Sequence, residues 1–138
     1  MAVLSGVSSR ASAGVEPKGL RVGLVAVSAT FSVTVSSTIG DVIQMVKVPL
    51  GATPVYVAIL GNAGGSGSSV NVGDGISAAR YIRNYTAATG AVLQPINTAY
   101  FPYTYSTDDT IDITVSACSL STLAGSWNLI AIYSMDPT

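Results

Sequence analysis

The stretch TIDITVS at residues 110–116 decides the fold class of this chain. Its apolar side chains stand at every second position, with polar residues between them: Ile111, Ile113 and Val115. A two-residue period is typical of a β-strand with one buried face, because successive side chains of a strand point to opposite sides of the sheet. We therefore predict a strand over residues 110–116 that covers a core with one face.

The same alternation recurs along the chain from residue 20 onward. The stretch TFSVTVS at residues 30–36 repeats the pattern. We interpret this likeness as two β-strands that have the same alternation independently, rather than as an internal duplication. No segment has a convincing helical period, and glycine, proline or aspartate separates the apolar runs. The sequence predicts an all-β sandwich or barrel of eight or nine strands. Its further strands are expected at residues 42–48, 55–60, 70–72, 103–105 and 127–133, with a weak one at 91–93. Residues 79–83 are expected to form a short strand or a helical turn.

Charged residues are scarce. They make up 9% of the 138 residues, with six basic residues, seven acidic residues and no histidine, whereas soluble domains carry roughly 25%. A nearly uncharged surface suits burial against other proteins, because no ion has to be desolvated. Six scattered basic residues argue against a nucleic-acid partner. No apolar run reaches the roughly 20 residues of a membrane helix and no signal peptide is visible, so we expect neither membrane association nor export.

The residues that carry most enzyme chemistry are missing or unsuitably placed. Without histidine, Ser-His-Asp and Cys-His arrangements are excluded. Asp108, Asp109 and Asp112 lie close together and could serve paired-carboxylate catalysis or calcium binding. Aspartate is an ordinary turn residue, however, and this spacing matches no calcium loop. We therefore predict no enzyme activity, no catalytic residue, no metal and no cofactor, and we interpret Cys118 as a buried, inert thiol.

The stretch YFPYTY at residues 100–105 is the main aromatic concentration. Exposed rings at Tyr100, Tyr103 and Tyr105 would favour a carbohydrate-binding platform. Alternate tyrosines packed into the core, with their hydroxyls at its rim, are the more ordinary arrangement. The packing interpretation is favoured, and the sequence leaves both open.

Several segments together resemble a known family. They are GDVIQMVKVP (40–49), SVNVGDG (69–75), ARYI (79–82), YTY (103–105), DDTIDITV (108–115) and LIAIY (129–133). In this order they resemble small virion proteins of tailed bacteriophages, in particular the jelly-roll cement, or decoration, proteins of the capsid. The resemblance spans residues 40–133, and its motifs are structural, so it brings no catalytic or ligand-binding residue with it.

The resemblance implies a jelly-roll sandwich of about eight antiparallel strands that binds the outer surface of the capsid and cements neighbouring capsomers. The implied partners are the major capsid protein and further copies of this chain, with a homodimer favoured over a homotrimer. The implied location is the outside of the virion capsid, after synthesis in the host cytoplasm. The competing hypothesis is a carbohydrate-binding, receptor-binding or fibre-like β-sandwich module of a virion.

Residues 1–19 differ in composition from the rest of the chain. They are rich in serine, alanine and glycine and have no apolar period. We predict a flexible N-terminal arm over residues 1–19 and a β-sandwich domain over residues 20–138. The candidate partner-binding residues are the basic side chains of Arg10, Lys18 and Arg21, which would meet acidic capsid surface.

Overall fold

The computed structural model describes residues 5–7, 23–33, 37–61, 68–86, 102–117 and 125–135, which contain eight β-strands and no helix. We number the strands in chain order. They are β1 (Ser5–Val7), β2 (Gly23–Val33), β3 (Val42–Val48), β4 (Ala52–Gly61), β5 (Ser69–Gly73), β6 (Ile82–Tyr85), β7 (Asp109–Ala117) and β8 (Gly125–Met135). Within these residues no helix is long and apolar enough to span a membrane. The predicted all-β class is confirmed.

The strands form two sheets with the core between them. One sheet has the strand order β1-β3-β7-β5-β6, and the other has the order β2-β8-β4. All neighbours pair antiparallel except β1, which runs parallel to β3. The pairing is nested: β2 pairs with β8, β3 pairs with β7 inside them, and β5 pairs with β6 innermost. This is the strand order of a jelly roll, so the predicted sandwich architecture is confirmed.

The core forms where the alternating side chains of the two sheets meet. Ile111, Ile113 and Val115 of β7 are buried, as the two-residue period predicts. On the facing sheet, Trp127 of β8 is buried and meets the Tyr85 ring edge-on, with centroids 6.3 Å apart. A large apolar set from both sheets is thereby removed from water, and this burial is the main favourable term in folding.

Two predicted segments differ from the structure. Residues 103–105 form no regular strand, although the Tyr105 N–H donates to the Ala52 carbonyl at 2.9 Å. Residues 79–81 are likewise irregular, and β6 begins only at Ile82. The reason is a turn, because the Arg80 N–H donates to the Ser77 carbonyl at 3.2 Å and the chain has to reverse before it can pair. The weak strand predicted at residues 91–93 lies outside the described residues.

Part of the predicted N-terminal arm lies beside the domain. Ser5–Val7 form β1, in register with residues 42–44 of β3. The rest of segment 1–19 lies outside the described residues, and so does residue 21. The division into an arm at residues 1–19 and a domain at residues 20–138 therefore stays a prediction.

Candidate functional site

Three loops meet at one end of the sandwich, which we call the loop end. They are the β3–β4 turn (residues 49–51), the β5–β6 loop (residues 74–81) and the segment before β7 (residues 102–108). They meet because β3 and β5 both run antiparallel to β7, so that their last residues lie beside the beginning of β7. The Gly51 N–H donates to the Tyr105 carbonyl at 2.8 Å and joins the first loop to the third.

A buried ion pair holds the β5–β6 loop closed. The Arg80 Nε donates to Oδ2 of Asp74, and both residues are buried. The other carboxylate oxygen, Oδ1, accepts the backbone N–H of Ile76 at 3.0 Å and that of Ser77 at 2.8 Å. A buried carboxylate is tolerated only when it is paired and hydrogen-bonded, and Asp74 meets both conditions. This loop is therefore fixed by a side chain at its first residue.

Three tyrosines complete the network around this ion pair. The Tyr105 hydroxyl donates to Oδ2 of Asp74 at 3.0 Å and lies 2.6 Å from the Tyr81 hydroxyl. Burial raises the pKa of both hydroxyls well above that of a free tyrosine, so both stay protonated. The Arg80 guanidinium lies over the Tyr103 ring, 3.6 Å from its centroid, and Tyr103 meets Tyr105 edge-on. The tyrosines thus join the second and third loops into one rigid unit.

This network decides between the two interpretations of residues 100–105. Tyr105 is 2% exposed. Tyr103 is half-buried with one face covered by Arg80, and Tyr100 lies outside the described residues. The packing interpretation is confirmed for Tyr105, which is buried, and Tyr103 packs against the core with one face under Arg80.

Asp112 is buried, although the sequence places it on the polar face of its strand. It lies on the outward side of β7, in register with Gly73 of β5. The β5–β6 loop lies against Gly73 so closely that a Cβ atom there would be 2.0 Å from the Ser77 carbonyl oxygen. Asp112 is consequently only 5% exposed. The two-residue period predicts only the outward side of β7 for Asp112, and its burial arises because a neighbouring loop covers it.

Burial changes the acidity of Asp112. It raises the pKa of the carboxyl to about 6, and the charges of Asp109 and Asp74 act in the same direction, against a hydrogen bond with Thr110. Its Oδ1 atom has no hydrogen-bond partner. The described residues include no cluster of three acidic, histidine or cysteine side chains that could hold a metal ion. Asp108, Asp109 and Asp112 are therefore not brought together as a set of ligands.

Three turns each present an exposed aliphatic side chain at their tip: Ile39, Leu50 and Ile76, which are 67%, 58% and 73% exposed. In each turn an aspartate carboxylate accepts a backbone N–H, at 2.7–3.0 Å: Asp41 from Thr38, Asp108 from Leu50, and Asp74 from Ile76. An apolar side chain on a turn fixed in this way loses little conformational entropy on contact with a partner. The turns are consequently suited to anchor protein contacts.

A groove of about 260 Å³ opens beside Leu50 at the loop end. The described residues that line it come from β3, β7 and the turns next to them: Gln44, Lys47, Val48, Pro49, Asp108, Asp109 and Thr110. Lys47 is exposed, and Arg80–Asp74 is the one ion pair among the described residues. The groove therefore carries both signs of charge beside an exposed leucine.

The outer face of the β2-β8-β4 sheet carries no charged side chain among the described residues. We call it the uncharged face. Leu24 and Ile130 are exposed on it, and Thr30 donates to Asn128 across two strands at 2.6 Å. Its members are Leu24, Ala26, Ser28, Thr30 and Ser32 of β2, Thr53, Tyr56, Ala58 and Leu60 of β4, and Ser126, Asn128, Ile130, Ile132 and Ser134 of β8.

The residues chosen from the sequence and the residues found in the structure differ. Arg10, Lys18, Arg21 and Cys118 all lie outside the described residues. The strand pattern of the sequence does not predict the pairing of Asp74 with Arg80, because Gly73-Asp74-Gly75 has only the composition of a tight turn. A usable signal existed: in a chain with six basic residues, an arginine six positions after a turn aspartate is a candidate partner for it.

Comparison with known proteins shows the fold. No protein family and no curated protein matches the chain. Three solved structures are similar: the capsid of Ralstonia phage GP4 (TM-score 0.77, 15% identity, 98% of this chain and 100% of that chain), the cyanophage Pam1 capsid asymmetric unit (0.71, 22%, 88% and 92%), and the acidic stable capsid of Helicobacter pylori bacteriophage KHP30 (0.61, 17%, 84% and 90%). The chain is a β-sandwich of the kind present in these three capsid structures.

Replacing Arg80 with methionine should destabilise the fold by about 3–5 kcal/mol, because the change leaves the buried Asp74 carboxylate without its counter-ion. The matched control is Arg83→Met, three residues further on, where the arginine is exposed and the change should stay within about 0.5 kcal/mol. Urea unfolding of both variants measures the difference. Equal stability of the two would contradict the role given to the ion pair.

Asp112 should make the protein more stable in mild acid. Its pKa is higher in the folded state, about 6, than the ordinary 3.8, so the stabilisation from binding the proton is complete below pH 3.8 and is lost as the pH rises through 6. Relative to Asp112→Asn, the wild type should therefore lose on the order of 1–2 kcal/mol between pH 4 and pH 7. Urea unfolding at several pH values measures this gap, and a gap independent of pH would refute the assignment.

Proposed function

We propose that this protein is a structural component of a phage virion, that it binds the outer surface of the capsid, and that it cements neighbouring capsomers without catalysing any reaction. The observation that carries the proposal is the uncharged face, on which Leu24 and Ile130 are exposed. The similarity to chains of three phage capsid structures, over 84–98% of this chain, supports a role in a virion.

The uncharged face suits a contact that has to form many times on one particle. A standard protein interface covers about 800 Å² on each partner, and the protein exposes 7061 Å² in all. Burying this face removes Leu24 and Ile130 from water without desolvating any ion of its own. Serine, threonine and asparagine supply hydrogen-bonding groups between the apolar side chains. Weak contacts of this kind gain strength when one protein bridges several capsomers.

We further propose that the N-terminal segment supplies a second contact. Arg10, Lys18 and Arg21 are three of the six basic residues of the chain. They precede β2 in the sequence, and β2 is the first strand of the sheet that carries the uncharged face. Basic side chains are suited to an acidic protein surface, and a short segment covers a wide area when it orders on contact.

A carbohydrate-binding module is not adopted as a second function. Tyr105 is buried and Tyr103 is covered by Arg80 on one face. A sugar-binding platform needs several exposed rings grouped together, and Tyr105 is not exposed. No observation among the described residues favours this alternative.

The uncharged face is tested with a charge placed at its centre. Ile130→Lys should bind mature, expanded capsids at least about tenfold more weakly than the wild type, because the ammonium group would have to be desolvated at the interface. Thr86→Lys, at an exposed position after β6, is the matched control and should bind normally. Co-sedimentation with capsids measures binding, and the heat stability of the shells measures cementing. The proposal fails if the wild type leaves shell stability unchanged.

The N-terminal contact is tested by neutralising its charges. A variant with Arg10→Gln, Lys18→Gln and Arg21→Gln should keep the unfolding free energy of the wild type, bind capsids more weakly, and lose part of the salt dependence of binding. Arg83→Gln removes one exposed positive charge from the domain and is the control. Unchanged affinity and unchanged salt dependence in the triple variant would exclude these residues as capsid contacts.

A further inference from the structure

We infer that the β5–β6 loop is a clasp controlled by a proton on Asp112. The loop lies closed over this side chain while it is a neutral carboxylic acid, and it opens more often once the side chain is a carboxylate. The inference goes beyond the proposed function, because the clasp works in the free protein and needs no capsid. It concerns the shape of the loop end, where Ile76 is exposed at the tip of the same loop.

The closed loop lies directly on the five-stranded sheet. A Cβ atom at Gly73 would overlap the backbone of Ser77 and Ala78. Gly73 is in register with Asp112 of β7, and opposite residues of an antiparallel ladder project to the same face of the sheet. The loop backbone therefore occupies the space beside the Asp112 side chain, and the missing side chain of Gly73 is what leaves room for it.

Asp112 has no positive partner under the closed loop. It is 5% exposed, and its Oδ1 atom has no hydrogen-bond partner. The two charges that act on it, those of Asp109 and Asp74, are both negative. Arg80, the cation of the loop, is already paired with Asp74. A buried carboxylate without a counter-ion is costly, whereas a buried neutral carboxyl costs much less.

The strands beside Asp112 bring no charge that offsets this cost. β3 places the neutral Gln44 in register with Asp112, and Lys47 of the same strand is exposed. β5 contributes the neutral Asn71 on the other side, and Arg83 of β6 is exposed. Closing the loop therefore favours the neutral form of Asp112, and ionisation of Asp112 favours opening, because the two equilibria are linked.

A proton, rather than a metal ion, supplies the compensation. The part of the chain that the structure describes has no group of three side chains able to hold a metal ion, and Asp112 does not line the groove at the loop end. Burial raises the pKa of Asp112 to about 6, above the ordinary 3.8 that applies once the loop is open. The proton therefore stabilises the closed loop fully below pH 3.8, and this stabilisation is lost as the pH rises through 6.

Two backbone hydrogen bonds report whether the loop is closed. The Ser77 carbonyl accepts the Asp74 N–H at 3.0 Å and the Arg80 N–H at 3.2 Å. Lifting this carbonyl off the sheet breaks both bonds, so both amides exchange with solvent when the loop opens. The reference is the Asp41 N–H, which donates to the Thr38 carbonyl at 3.1 Å in the turn before β3.

Amide hydrogen exchange measures the opening constant, which is the ratio of open to closed loop, after correction for the intrinsic exchange rate at each pH. For the amides of Asp74 and Arg80 this constant should rise about tenfold between pH 5 and pH 7 and then level off, as a pKa of about 6 in the closed state and 3.8 in the open state requires. The Asp41 amide should show no such rise. Opening constants that do not change with pH would overturn the inference.

Asp112→Asn removes the titrating group and keeps its shape. In this variant the opening constants of the loop amides at pH 5 and pH 7 should agree to within about twofold. Asp108→Asn is the matched control, since Asp108 is an exposed carboxylate at the same end of the sandwich, and it should keep the full rise. A full rise that persists in Asp112→Asn would assign the response to another group and refute the role of Asp112.

A second variant tests the geometry without removing a titratable group. Gly73→Ala should push the loop off the sheet, so that water reaches Asp112 and its pKa falls toward 3.8 in an NMR titration of the carboxyl carbon. The control is Gly75→Ala in the same loop, whose Cβ atom would meet only the Asp109 carboxylate, at 3.3 Å, and the pKa of Asp112 should stay near 6. Urea unfolding confirms that both variants fold. A pKa near 6 in Gly73→Ala would contradict the clasp.

These outcomes are independent of the proposed function. A protein that binds capsids but shows no pH response at the loop amides overturns the clasp alone. A protein that shows the pH response but ignores capsids overturns the proposed function alone.

Discussion

The buried ion pair between Asp74 and Arg80 is the interaction on which the loop end depends. It joins the first and the seventh residue of the β5–β6 loop, and Tyr105 connects it to the segment before β7. Through Gly51, the same segment holds the β3–β4 turn. One buried carboxylate thus organises three loops, and the loss of its partner would leave a charge without compensation in the interior.

The few charged side chains of the described residues are used mainly for structure. Asp41, Asp74 and Asp108 accept backbone N–H groups in turns. Arg80 is paired with Asp74, and Asp112 is buried with a raised pKa. Among the described residues Asp41, Asp74 and Asp112 are buried, whereas Lys47, Arg83 and Asp108 are exposed. Part of the small charge content is thus used inside the protein to fix turns.

The sequence predicts the long strands well and the loops poorly. The two-residue period depends only on local side-chain order, which is why residues 110–116 and 127–133 predict β7 and β8 closely. The burial of Asp112 depends instead on a loop that follows a different strand and lies against Gly73. No period in the sequence reports such a contact. The register shifts near Met45 and Val55 are also beyond prediction, because they follow from the pairing of distant strands.

The two proposed capsid contacts differ in the physical property that makes each specific. The uncharged face gains from area and from the absence of desolvated ions, and it discriminates weakly between partners of similar shape. The basic side chains of the N-terminal segment would discriminate by the sign of the partner's charge and would add salt dependence. Two contacts on one chain reinforce each other, because the second forms at a high effective concentration once the first has formed. A small protein of low charge can in this way bind firmly although each single contact is weak.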